Sequence, residues 1–182
     1  MSHLRAQVMQ IYNQTKSYLK NPQPVSDNLL YGEFHENSKH TTRMPYMKPV
    51  YDVLEKNRGK VIYFDFWARW CPPCLAEMEP LKQLRSKFST DDLIIYSICV
   101  SEPKEQWEEC LNEYSLKNRG IECVHVTDYL GINNYQKIRK QWKIDRMPYY
   151  VLINRKGQII DFGTAARPSN PQLVSRIEEA VK

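Results

Sequence analysis

The sequence lacks any apolar run approaching the roughly 20 residues that a membrane-spanning helix needs. Its first 20 residues contain no apolar core followed by a cleavage site, so no signal peptide is visible there. Lysine and arginine form no dense run either. The net charge is only +5, and Arg139 and Lys140 are typical of the solvent-exposed face of a helix. We therefore expect neither a membrane span nor nucleic-acid binding.

The cysteines are few and mostly scattered. There are five, an odd number in a chain too large to need a disulfide framework, and only Cys71 and Cys74 lie close together. A lone C-x-x-C could supply half of a zinc site. However, there is no second C-x-x-C pair, and His35 and His40 could be recruited only across the fold. The pattern favours a redox pair, with no metal and no cofactor.

Strand and helix patterns alternate from Gly59 to the C-terminus in the order βαβαβαββα. Apolar or β-branched runs predict strands at 61–67, 93–100, 122–126, 149–153 and 158–162. The last two strands flank the turn sequence NRKG, which indicates a hairpin. This order predicts an α/β fold with a mixed central sheet flanked by helices on both faces.

Residues 1–58 have a different character. Apolar residues near one face predict an amphipathic helix at the start of the chain (Leu4, Val8, Ile11, Leu19). Residues 21–49 carry four prolines among polar residues, which indicates an extended linker. We therefore divide the chain into residues 1–58, an N-terminal helix with a linker, and residues 59–182, the main domain.

The sequence WCPPC lies where a buried strand gives way to a helix. A thiolate at a helix N-terminus is stabilised by unpaired backbone N–H groups and by the positive end of the helix dipole. Cys71 is placed for that stabilisation and for exposure, whereas Cys74 lies one turn further on. We expect Cys71 to be the nucleophile and Cys74 to attack the mixed disulfide that forms on it.

The segment FDFWARWCPPC closely resembles the active-site segment of thioredoxin, and residues 59–182 resemble the TlpA/ResA-like branch of thioredoxin-fold proteins. Arg146-Met147-Pro148 resembles the cis-proline loop of that family, and residues 101–128 fit its extra βα insertion. Two departures stand out. Pro80 follows Cys74 by six residues where the family commonly has five, and Met147 stands where a β-branched residue is commoner.

Two carboxylates extend the candidate catalytic set. Asp65 interrupts an apolar strand, where a charged acid is costly, and it matches the buried aspartate that precedes the first cysteine in thioredoxin. Glu77 lies three residues after Cys74 and matches an active-site glutamate of the TlpA/ResA-like branch. The alternatives are an aspartate satisfied by local hydrogen bonds and a glutamate that simply faces solvent.

Substrate contacts are expected around the cysteine pair. Trp70, Pro72 and Pro73 flank or separate the two cysteines, and the resemblance adds Met147 and Pro148 as the loop that holds substrate polypeptide. Packing alone would also explain Trp70. We expect Cys99 and Cys110 to be buried and inert, and the role of Cys123, including a second pair with Cys110, stays open.

These residues predict an enzyme that reduces protein disulfides with electrons from an upstream thiol donor, which could be membrane-bound. Pro72 and Pro73 offer no N–H to the Cys71 thiolate and no histidine separates the cysteines, so a reducing couple is favoured. The resemblance implies an extracytoplasmic setting, periplasmic or membrane-anchored, and we expect a monomer. The alternatives are a peroxiredoxin-like thiol peroxidase and a non-catalytic binding module with a static disulfide.

Overall fold

The computed structural model describes residues 48–100 and 103–182. The amphipathic helix predicted near the N-terminus, and the linker up to residue 47, lie outside the described residues. Within the described ranges, the element order follows the predicted βαβαβαββα, preceded by one further helix.

A five-stranded mixed sheet forms the centre of the molecule, in the order β3-β2-β1-β4-β5. The strands are β1 (Val61–Trp67), β2 (Leu93–Cys99), β3 (Ile121–His125), β4 (Tyr149–Ile153) and β5 (Ile159–Gly163). β1 pairs in parallel with β2, and β2 with β3. β4 is antiparallel to both β1 and β5. The predicted mixed sheet is therefore confirmed.

Helices cover both faces of this sheet. They are α1 (Lys48–Lys56), α2 (Pro72–Leu75), α3 (Met78–Lys87), α4 (Lys104–Glu113), α5 (Val126–Tyr129), α6 (Ile132–Gln141) and α7 (Pro171–Ala180). The last helix begins as its sequence predicts, because the Asn170 side chain accepts a hydrogen bond from the Gln172 N–H and Pro171 occupies the first turn.

The sheet separates two hydrophobic clusters. All seven residues of β1 are buried, as expected for a central strand covered on both sides. Alternate residues point to opposite faces, so Tyr63 and Trp67 pack with α3, α4 and α7, while Phe64 and Phe66 pack with α1, α5 and α6. The two cysteines of the C-x-x-C motif belong to the first cluster.

The helix predicted to begin at the C-x-x-C motif is broken. Regular structure stops after Leu75 and resumes at Met78, with Ala76 and Glu77 between the two helices. Pro80 explains the break: it has no N–H to donate to the Ala76 carbonyl, and its ring would collide with that group in a continuous helix. In the observed arrangement Pro80 lies in the first turn of α3, where its missing N–H costs nothing.

Helix α1 lies on the domain, although residues up to 58 were predicted to form an N-terminal helix and a linker. Its buried residues Val50 and Val53 pack in the same cluster as Phe64 and Ile62 of β1. The spacing of three between the two valines places both on one face of the helix. Within the described residues, α1 therefore packs against the domain that was predicted to begin at Gly59.

This packing makes α1 part of the stability of the domain. We expect Val53→Ala to lower the free energy of unfolding by about 2 kcal/mol, because it removes two buried methyl groups and leaves a cavity. The matched control is Lys56→Ala, on the exposed face of the same helix, which should change it by less than about 0.5 kcal/mol. Denaturant unfolding measures both, and equal midpoints for the two variants would mean that α1 contributes nothing to the core.

Candidate active site

A disulfide joins Cys71 and Cys74 directly after the end of β1. Their Cα atoms are 5.2 Å apart. Cys71 is the N-cap of α2, and Cys74 is buried inside that helix. Among the described cysteines this is the one disulfide, since Cys99, Cys110 and Cys123 form none.

The predicted exposure of Cys71 is wrong for this oxidised state. Cys71 is 4% exposed and Cys74 is 2% exposed, so solvent access hardly distinguishes them. The reason is the position of the pair at the base of the site, within the same cluster as Trp67 and Met78. Trp70, by contrast, is 64% exposed beside the disulfide. Any difference in reactivity must therefore come from local hydrogen bonding and charge.

Backbone N–H groups at the start of α2 are scarce, because Pro72 and Pro73 have none. The first available N–H is that of Cys74, which is shared between the Cys71 carbonyl oxygen at 2.9 Å and Cys71 Sγ at 3.3 Å. The next, that of Leu75, donates to the Cys71 carbonyl at 3.1 Å. With α2 only four residues long, the Cys71 sulfur accepts one backbone hydrogen bond from the residues that the structure describes, and it lies at the end of a weak helix dipole.

Asp65 lies in the middle of β1 and is 4% exposed. Its Oδ2 accepts a hydrogen bond of 3.1 Å from the Ser97 hydroxyl on β2. Burial raises the pKa of Asp65 to about 7; the Ser97 hydrogen bond opposes that rise and the charge of Glu77 adds to it. The carboxyl group can therefore gain and lose a proton near neutral pH, as a general acid–base requires.

Glu77 lies in the break between α2 and α3 and is buried, so the solvent-facing alternative is wrong. The Ser169 N–H donates to its Oε2 at 2.8 Å, and the Ser169 hydroxyl donates to its Oε1 at 2.7 Å. Arg167 Nη1 is 3.9 Å from Oε1. Because the helix is interrupted there, the Glu77 side chain reaches the loop that precedes α7 instead of water.

The peptide bond between Met147 and Pro148 is cis, as the resemblance implied. The β1–β4 register ends with Phe66 opposite Tyr149, which places Pro148 beside Trp67, at the end of β1 from which the chain leads to Cys71. Met147 is half-buried and packs against the cluster that contains both active-site cysteines.

The remaining cysteines differ in their surroundings. Cys99 and Cys110 are buried, in agreement with the prediction. Cys123 is half-buried, and burial, reinforced by the negative charges of Asp65 and Glu122, raises the pKa of its thiol to about 12. A thiol that stays protonated is a poor nucleophile, so Cys123 is not prepared for a second redox pair.

In the part of the chain that the structure describes, no three His, Cys, Asp or Glu residues are grouped in a way that could hold a metal ion. None of the described helices combines the length and the apolar character needed to cross a bilayer.

A mixed sheet of order β3-β2-β1-β4-β5, with a C-x-x-C disulfide after its central strand and a cis-proline beside it, defines a thioredoxin-fold redox protein. The Redoxin family matches residues 48–181, which is more than half of the chain. This chain belongs to that family, and the resemblance to TlpA/ResA-like proteins is confirmed.

Among characterised relatives, the thiol-disulfide oxidoreductase ResA of Halalkalibacterium halodurans is 25% identical over 134 residues, covering 71% of this chain and 66% of that protein. The sporulation thiol-disulfide oxidoreductase A of Bacillus subtilis is 22% identical over 108 residues, covering 59% of this chain and 61% of the relative. The chain thus spans less than two thirds of the length of these relatives.

Solved structures agree with the fold. A candidate thiol-disulfide oxidoreductase from Bacteroides vulgatus, determined in solution, is 32% identical with a TM-score of 0.55, covering 69% of this chain and 76% of the other. The thioredoxin domain of a thiol-disulfide oxidoreductase from the same organism superimposes with a TM-score of 0.59 at 21% identity, over 71% of this chain and 84% of that one.

Sequence reasoning missed three residues that hold the carboxylates. Ser97 had a signal, because it is the one polar side chain within the apolar run LIIYSICV, just as Asp65 interrupts the neighbouring strand. Ser169 and Arg167 had no such signal, because both lie far from Glu77 in the sequence. Ser169 is 92 residues away from it. Only the tertiary structure brings that loop to the site.

The raised pKa of Asp65 links its protonation to folding. Between the usual aspartate pKa of about 4 and pH 7 the folded protein holds a proton that the unfolded chain has released, so stability falls as the pH rises through this window. Asp65→Asn keeps an acceptor for Ser97 without the charge. We expect the oxidised variant to exceed the wild type in unfolding free energy at pH 8 by up to about 4 kcal/mol.

The measurement is denaturant unfolding of both oxidised proteins from pH 4 to pH 8. The advantage of Asp65→Asn should shrink steadily toward pH 4, where both side chains are neutral. A difference that does not change with pH would mean that Asp65 is not held neutral by burial.

Proposed function

We propose that this chain is a thiol-disulfide oxidoreductase that reduces protein disulfides by dithiol–disulfide exchange through Cys71 and Cys74. The observation that supports this most directly is the Cys71–Cys74 disulfide at the start of a helix, with a buried carboxyl of pKa about 7 on the strand that precedes it. Oxidoreductase activity is also what the names of the relatives report for those proteins.

The reaction starts from the reduced dithiol. The Cys71 thiolate attacks one sulfur of a substrate disulfide, forming a mixed disulfide and releasing the other substrate sulfur as a thiolate. Cys74 then loses its proton and attacks Cys71 Sγ, which forms the Cys71–Cys74 bond and releases the second substrate thiolate. Two electrons pass to the substrate, and an upstream thiol donor restores the dithiol.

Two buried carboxylates, Asp65 and Glu77, are proposed to assist proton transfer to and from Cys74. Asp65 faces the same side of the sheet as Tyr63 and Trp67, whose cluster includes both cysteines. Glu77 follows Cys74 by one turn, and its N–H donates to the Cys74 carbonyl at 3.0 Å. A carboxylate near pKa 7 accepts a thiol proton readily at neutral pH, directly or through water.

The surface around the disulfide is proposed to bind extended substrate backbone. Trp70 and the ring faces of Pro72 and Pro73 are exposed on one side of the pair, and the Met147–Pro148 segment flanks the end of β1. Backbone pairing at Met147 would tolerate many substrate sequences, and the methionine side chain adapts to variable neighbours.

A reducing direction is supported by the poor stabilisation of the Cys71 thiolate. Among the described residues one backbone N–H donates to its sulfur, so a reduced form would gain little over the disulfide. We also propose an extracytoplasmic setting, a monomeric state and a thiol electron donor that can be membrane-bound, by analogy with ResA-like relatives.

Turnover distinguishes this function from its alternatives. We expect the wild-type protein to catalyse insulin reduction by dithiothreitol without consuming hydrogen peroxide at a comparable rate. The Cys71→Ser variant should show only the uncatalysed rate, because no mixed disulfide can form. The Cys123→Ser variant should retain activity, because the thiol that it removes stays protonated in the wild type. Peroxide consumption alone would indicate a thiol peroxidase, and inactivity in both assays would indicate a static disulfide.

The division of roles between the cysteines gives a separate test. Alkylation of the reduced protein at pH 7 should label Cys71 faster than Cys74, because the Cys71 sulfur accepts a hydrogen bond from the Cys74 N–H at the start of α2, whereas Cys74 is buried inside that helix. Peptide mass spectrometry after short exposure to iodoacetamide measures the two rates. Faster labelling of Cys74 would reverse the assignment.

A further inference from the structure

A row of polar side chains crosses the sheet at the level of Asp65. The register places Asp65 opposite Ser97 on β2 and opposite Tyr150 on β4, and it places Ser97 opposite Cys123 on β3. In-register neighbours project to the same face of a sheet, so these four side chains share the face that carries the active-site cysteines. The proposed function uses only Asp65 from this row.

Ser97 makes the one direct contact within this row that the structure records. Its side chain is fully buried, and its hydroxyl donates to Asp65 Oδ2 at 3.1 Å. Within residues 48–100 and 103–182, the other carboxylate oxygen, Oδ1, accepts no hydrogen bond, so Oδ1 is the atom available to take up a proton. A hydrogen bond from a buried neutral hydroxyl to a carboxylate favours the charged form.

Tyr150 lies on β4, on the opposite side of Asp65 from Ser97, and its hydroxyl differs from that of Ser97 in its hydrogen bonding. Its ring is buried against Tyr63, with centroids 5.7 Å apart. Its hydroxyl has no hydrogen-bond partner among the described residues. The two strands that flank β1 thus each bring one hydroxyl to the level of Asp65, but only that of Ser97 is bonded to it.

We propose that Ser97 is a positioning residue for Asp65: its hydroxyl fixes the carboxylate through Oδ2 and stabilises the negative form that takes the proton of Cys74. This inference rests on the proposed function for the proton-transfer step. The step balances simply, since the Cys74 proton moves to Asp65 Oδ1, directly or through water, while the Cys74 sulfur forms its bond to Cys71 and the substrate sulfur leaves with the electron pair of the broken bond.

Other ionisable groups act on Asp65 as well. Those that face it or interact with it electrostatically are Glu77 before α3, Tyr63 on β1, Tyr150 on β4 and Cys123 on β3. Glu77 opposes ionisation of Asp65 through its charge. The tyrosines and Cys123 stay neutral near pH 7, because their pKa values are raised by burial. Ser97 is therefore the neighbour whose contact favours the carboxylate.

The experiment titrates Asp65 by NMR of its side-chain carboxyl carbon in the oxidised protein, comparing wild type with Ser97→Ala. We expect the midpoint to rise by about one to two pH units when the hydrogen bond is lost. Ser97→Thr keeps the hydroxyl and should restore a midpoint near that of the wild type. Tyr150→Phe is the matched control, since it removes a hydroxyl from the same row that makes no hydrogen bond, and it should leave the midpoint nearly unchanged.

A kinetic readout separates positioning from a merely structural role. In single turnover, release of substrate from the mixed disulfide should slow by about fivefold or more at pH 7 in Ser97→Ala and come to within about twofold of the wild-type rate at pH 9, where at least about half of Asp65 is ionised in both proteins. Slowing by the same factor at every pH would mean that Ser97 only supports the fold, and would overturn the proposal.

The NMR titration needs no catalytic activity, so it tests the inference apart from the proposed function. An unchanged midpoint in Ser97→Ala, or an equal rise in Tyr150→Phe, would overturn the role of Ser97 even if insulin reduction is normal. A shifted midpoint in a protein that reduces no disulfide would instead confirm the Ser97–Asp65 contact and reject the proposed function.

Discussion

Burial of the Asp65 carboxyl in the central strand is the constraint on which the rest of the site depends. A carboxylate surrounded by apolar side chains is costly, and in this protein the cost is reduced but not removed by one hydroxyl from the adjacent strand. The balance leaves a carboxyl group with a pKa of about 7 on the strand that leads to the cysteine pair. A fully satisfied aspartate would be a poor proton acceptor, and a wholly unsatisfied one would stay neutral.

The two faces of the sheet divide the tasks of stability and chemistry. One face carries an aromatic cluster in which Trp142 makes edge contacts with Phe64 and Phe66, at centroid distances of 5.8 and 6.0 Å. The other face carries the cysteines, the carboxylate and its hydroxyl partner. Because β1 is buried on both sides, its successive residues alternate between the aromatic cluster and the face that carries the cysteines.

The break between α2 and α3 allows Glu77 to form hydrogen bonds with the loop before α7. Pro80 prevents a continuous helix, and the interruption frees Glu77 to accept two hydrogen bonds from Ser169. The loop before α7 is held in this way, and its Ala166 carbonyl also accepts a 2.6 Å hydrogen bond from the Tyr63 hydroxyl. By interrupting the helix, Pro80 thus leaves Glu77 between α2 and α3, where its side chain binds the loop before α7.

Much of this protein was determined by local sequence. Alternating apolar runs and turn residues predicted the strand and helix order and the mixed sheet, because burial on two faces demands long apolar strands and tight turns demand particular residues. The C-x-x-C spacing and the acid within an apolar strand likewise identified Cys71, Cys74 and Asp65 as a candidate site without any knowledge of contacts.

Tertiary structure decided what local patterns could not. The equal burial of Cys71 and Cys74, the partners of Glu77 and the packing of α1 all depend on contacts between segments far apart in the chain. Ser97 and Asp65 are each visible as polar interruptions of apolar strands. That they meet depends on strand register, which is set by the packing of whole strands and not by either residue. Sequence therefore identified the groups proposed to carry the chemistry, and packing decided their burial and their partners.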